Sequence, residues 1–127
     1  MAETNELDNT IGTEEFQTLK PKNVNIEKVE IIEVGEKKYP KVVCHVKHPD
    51  AQDLKQISSV EYINPNTKKV ENGGLFVNKD SDGKIRKNSA LALFMNLLGA
   101  SKIGDLSGKK EVKTTLGSSG YLTFKGY

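Results

Sequence analysis

The chain has 127 residues, 35% hydrophobic and 28% charged, with a mean hydropathy of -0.53, which fits one domain with one core and excludes two separately cored domains. The net charge of +2 hides an asymmetry: residues 1–36 hold 3 Lys and 9 acids, a net of -6, and residues 37–127 hold 16 Lys or Arg and 8 acids, a net of +8. One cysteine, Cys44, excludes an internal disulfide and points to a reducing, cytoplasmic compartment; no secretory segment opens the chain and no lipidation signal is expected at either end.

Residues 1–19 contain no Lys or Arg and five acids. They read as a flexible acidic tail in which Thr13 to Leu19 could form a docking hook, leaving residues 20–127 as a single domain with a net charge of +7. From Val24 the apolar period is two. Val24, Ile26, Val29 and Ile31 alternate with charged residues, and Ile32 and Val34 continue after a phase slip that suggests a bulge. Gly35 to Lys38 is turn material, and Lys41 to Lys47 is a second strand, so a hairpin is predicted. In that strand Val42, Cys44 and Val46 face a core, and Lys41, Val43, His45 and Lys47 share the opposite face.

His48-Pro49-Asp50 ends the run, Ile57 to Ile63 forms a third strand, and Val70 to Val77, interrupted by Gly73-Gly74, forms a short return strand. Asp80 to Gly83 is a tight turn. The segment Asn78 to Ile85 matches the start of a calcium loop but has Ser89 where a bidentate carboxylate is required, so a plain hairpin is expected. Asn88 or Ser89 caps a helix over Ala90 to Leu98 that Gly99 stops, and this apolar run is about half the length of a membrane span. Asp105 to Gly108 is a loop. Lys109 to Leu116 alternates again, with Val112, Thr114 and Leu116 inward, and Gly117 to Gly120 turns the chain into a last strand, Tyr121 to Lys125, with Leu122 and Phe124 inward.

The fold class is therefore mainly β with one helix. The order of strands, one helix and a terminal hairpin resembles a five-stranded OB-fold barrel, β-β-β-α-β-β, over about residues 24–127. Ser89 to Gly99 followed by Asp105-Leu106-Ser107-Gly108-Lys109 is also loosely similar to small single-stranded-DNA-binding proteins of phages and archaea. That resemblance implies binding of single-stranded nucleic acid, and the alternative architecture is an antiparallel α+β sheet with one packed helix.

Catalytic patterns are absent: no nucleophile elbow, no phosphate loop and no paired carboxylates stand out, so a non-enzyme without cofactor or metal is expected. Cys44, His45, His48 and Asp50 resemble a metal set, but neighbours on a strand point to opposite faces, and a buried cysteine with two surface histidines is the expectation. The basic surface remains. Lys41 and Lys47 face out on the second strand, Lys84, Arg86 and Lys87 cluster beside a turn, and Lys109, Lys113 and Lys125 face out near the end. Tyr39, Tyr62, Phe76 and Tyr121 are the candidate stacking groups for a single strand. The rival expectation is an assembly subunit of a viral or other complex that docks a protein partner through its tail or an edge strand.

Overall fold

The computed structural model describes residues 19–117 and 120–127. The expected tail and its hook, apart from Leu19, and Ser118-Ser119 of the last expected turn lie outside the described residues.

The first hairpin forms as its residues dictate. Strand β1 (Asn25–Val34) pairs antiparallel with β2 (Tyr39–Lys47), and the loop Gly35–Lys38 places Gly35 and Lys38 at positive φ, 79° and 55°. The register slips between Ile26 and Lys28, earlier than the sequence phase change at Ile31-Ile32 suggests. Ile31 lies opposite Val42, on the side that faces the core nearer the other end of the strand, and is nonetheless 52% exposed. Strand β3 (Lys55–Ile57) pairs with the C-terminal half of β2, giving a three-stranded sheet.

The expected third strand is interrupted at Ser58. Beyond it β4 (Ser59–Ile63) enters a second sheet of four strands, ordered β5 (Val70–Gly74), β4, β7 (Leu122–Lys125), β6 (Thr114–Leu116). The β4–β7 pair is parallel and the others are antiparallel. Residues 75–77 then return to β2: the Val42 N–H donates to the Leu75 carbonyl at 2.8 Å and the Val77 N–H to the Pro40 carbonyl at 2.9 Å. The edge of β2 left open by the short β3 is thereby hydrogen-bonded, as buried backbone groups require.

Helix α1 (Ala90–Leu98) has the predicted bounds because its signals are local. The Ser89 hydroxyl accepts from the Ala92 N–H at 3.1 Å, and Gly99 takes the left-handed conformation at φ 71°. Leu91, Phe94 and Met95 are buried, and the Phe94 ring stacks on Phe124 of β7 with centroids 4.5 Å apart. Around this pair the core collects Ile26, Val42, Cys44 and Val46 from the first sheet with Val60 from the second, plus Leu75 and Leu106. No helix among the described residues is long and apolar enough to cross a membrane.

The stretch after α1 departs from simple alternation. Ile103–Leu106 is a 3-10 turn that buries Leu106, and Glu111 sits at φ 56°, which shortens the predicted strand to β6. Val112 still exchanges backbone hydrogen bonds with Val24 at 2.9 and 2.8 Å, and the Ile26 N–H donates to the Lys109 carbonyl at 2.8 Å. Leu116, expected inward, is exposed, whereas Thr123 on β7 is buried and shares a 2.7 Å hydrogen bond with Ser59. Among the described residues the architecture is mainly β with one helix, in two sheets of three and four strands.

Candidate nucleic-acid interface

Alternation on β2 sets the first surface. Val42, Cys44 and Val46 are buried inward, and burial pushes the Cys44 thiol up to about 12. Residues directly opposite in a ladder share a face, so the pairs Val34–Tyr39, Ile32–Lys41, Glu30–Val43 and Lys28–His45 lie together on the outward side. That side is less polar than alternation implied: Val43 is buried, Ile32 is exposed, and the His45 imidazole is in close contact with the Glu30 carboxylate.

Lys41 also pairs with Phe76 across the returning segment, and its Nζ lies 5.0 Å from the Phe76 ring centroid. Gly74 permits this approach. A Cβ there would stand 2.7 Å from Phe76 Cε2 and 3.0 Å from Lys41 Cε. Tyr39, 54% exposed, joins Pro40, Phe76, Val77 and Asn78 around a shallow cavity of about 300 Å³. Three of the predicted residues, Tyr39, Lys41 and Phe76, are thus brought together, with no acid in the cavity lining among the described residues.

A second group forms elsewhere. The hairpin closed by Lys79–Ile85 turns on Asp80, whose Oδ1 accepts from the Asp82 and Lys84 N–H groups at 2.9 and 3.0 Å. Beyond the turn, Lys84 and Lys87 line an open cleft of about 650 Å³ against α1, with Ile85, Ala92 and Met95 among its apolar walls. Arg86 is exposed on the same loop.

The remaining predicted residues do not join either group. Tyr62 donates to Glu71 at 3.3 Å and lies against Gly73, so burial and the Glu71 carboxylate raise its phenol above the ordinary value. Lys47 donates to the Ala51 and Gln52 carbonyls at 2.7 and 3.1 Å and so braces the following loop. Lys109 is half-buried and clamps Ile26 through its carbonyl, and Lys113 is exposed with its carbonyl accepting the Lys125 N–H at 2.9 Å. Tyr121 is 63% exposed. Lys125 stands 5.0 Å from the Tyr127 ring, and the Tyr127 hydroxyl donates to Glu61 at 2.9 Å, a bond that raises its pKa.

Sequence reasoning passed over Tyr127 and Gly74. The glycine pair inside a strand pattern was the available signal, since such glycines mark close approach. It also misread His48. That ring is buried, with Nε2 donating to the Lys20 carbonyl at 2.8 Å and Nδ1 accepting from the Asp50 N–H at 3.0 Å, because the chain before β1 folds over it. Cys44, His45 and His48 therefore serve the core, an acid contact and a backbone clamp, and among the described residues no cluster of three or more His, Cys, Asp or Glu is placed to hold a metal. Comparison with known proteins returns no matching family model, no matching curated protein and no matching solved structure.

Proposed function

We propose that residues 20–127 form one OB-like barrel that binds single-stranded nucleic acid, DNA in the first instance, with weak sequence preference and without catalysis. The observation that carries the reading is the Tyr39–Lys41–Phe76 cluster, which sets the exposed Tyr39 ring and the half-buried Phe76 ring beside a cation on the outward side of a sheet. Bases stack on such surfaces whatever their sequence, and lysines hold the backbone between them. For the barrel, the support is connectivity. The two sheets run β1-β2-β3 and β5-β4-β7-β6, and the Val24–Val112 bridge joins the residues just before β1 to those just before β6. A reducing, cytoplasmic setting accords with the lone, buried Cys44. The acidic segment 1–19 competes with nucleic acid for the basic body.

Fluorescence anisotropy of a labelled oligonucleotide at low salt tests the reading. Binding that weakens as salt rises and falls in Tyr39→Ala and Phe76→Ala supports it, and absence of salt-sensitive binding refutes it. Deleting residues 1–19 should tighten binding. Unchanged affinity would remove the competing role of that segment.

One observation favours a second reading, a subunit that docks a protein by strand addition. Beyond Glu27, β1 is paired only on its β2 side among the described residues, and Ile31 and Ile32 are exposed along it. Co-purification of a partner lost in Ile32→Lys, with oligonucleotide affinity intact, would favour that reading.

A further inference from the structure

We propose that the cleft between the 83–87 loop and α1 is a pocket for a single nucleotide, its base on the apolar walls and its phosphate at Lys84 and Lys87. The volume of about 650 Å³ lies within the usual range for small-molecule sites. Its walls divide by chemistry. Ile85 offers half-buried apolar surface, and Ala92 and the Met95 thioether, both largely buried, form the floor beneath it. Asn96 supplies an amide donor and acceptor to the polar edge, next to Ser101, whose hydroxyl and N–H both donate to Asp105 at 3.3 Å. Lys84 and Lys87 supply positive charge at the loop side, and among the described residues no carboxylate lines the cleft. Asp80, on the same hairpin, turns its Oδ1 onto the Asp82 and Lys84 amides instead.

A planar ligand with a polar edge and an attached anion matches all three kinds of wall. An aliphatic acid would leave Asn96 unused. The inference deepens the single-strand reading by assigning one base-selective position, and it rests on that reading only for the strand that would continue from the nucleotide.

The test is a titration of the whole chain with the 5′-monophosphates of adenosine, guanosine, cytidine and uridine, followed by NMR shifts. Inorganic phosphate and decanoate serve as separate arms. The expected result is movement of the Met95 methyl and the Ala92 and Ser101 amides with nucleotides, unequal among the bases. Phosphate alone should move only the lysine side. Lys84→Gln and Lys87→Gln should weaken all four nucleotides alike, each lowering the salt slope by about 1. Asn96→Ala should bring the four affinities together while leaving the melting temperature unchanged, since Asn96 is exposed.

Nucleotides that move no cleft residue, or decanoate moving them in place of nucleotides, overturn the proposal. The two failures separate cleanly. Oligonucleotide binding with no nucleotide in the cleft refutes the pocket alone, whereas nucleotide in the cleft with no oligonucleotide binding refutes the single-strand function alone.

Discussion

Two lysine–aromatic pairs in this protein have the same separation and different surroundings. Lys41 over Phe76 and Lys125 over Tyr127 both place Nζ 5.0 Å from a ring centroid. Beside the first lies a cavity that no acid lines among the described residues, and beside the second the Tyr127 hydroxyl donates to Glu61, the residue that pairs with Lys125 across β4 and β7. A cation is open to phosphate only where its own chain leaves its charge uncompensated. Contact geometry is alike in the two places, so the neighbouring carboxylate makes the difference.

Two glycines offer the strongest way to break the comparison. A Cβ at Gly126 would meet the Glu61 backbone oxygen and Val60 Cγ2, each at 2.9 Å, where the β4–β7 pairing gives little room. Gly126→Ala should therefore cost about 1–3 kcal/mol of stability in denaturant titrations. At Gly74 the obstacle is the Phe76 ring and the far end of Lys41. Gly74→Ala should leave stability nearly unchanged and weaken oligonucleotide binding, because the side chains can move aside and the cluster is then lost.

Truncation of the rings gives the next contrast. Phe76→Ala should lower oligonucleotide affinity by about 1–3 kcal/mol, the usual worth of one stacked base, in anisotropy titrations. Tyr62→Phe, which removes only the bond to Glu71, should leave that affinity unchanged. Equal losses in the two variants would show that the two regions do not differ in function. Charge removal is subtler: Lys41→Gln should reduce the slope of log affinity against log salt by about 1, and Lys125→Gln by less.

The pH dependence of stability comes from the inward side of the same β2 strand. Burial raises the Cys44 thiol to about 12, so the folded state disfavours the thiolate. Its contribution is complete below the unfolded-state pKa of about 8.5 and declines as pH rises from there towards the folded value. Denaturation of the wild type at rising alkaline pH should show this decline, and Cys44→Ala should show less of it. Thiol reagents should label Cys44 only as the protein unfolds.

Much of the secondary structure was legible along the chain. Ser89 and Gly99 bound α1 because capping is settled within a few residues, and the Gly35–Lys38 loop was readable from turn chemistry. The candidate site was legible only as a set of residue types. Tyr39 and Lys41 are neighbours in sequence, but Phe76 reaches them through a return to β2 that begins after Gly74, and nothing local announces that pairing. Glu71 beside Tyr62 and Lys20 above His48 were equally hidden, since each depends on a register or a long-range clamp.

The sequence by itself determined a chain mainly of β structure with one helix of known bounds, the inward side of β2, and the excess of positive charge after residue 36, because periodicity, capping and composition are local properties. Tertiary structure decided which lysines stand beside free aromatic surface and which beside acids. Side chains from distant strands meet only once register and crossover are fixed, and those depend on packing the whole core around Phe94 and Phe124.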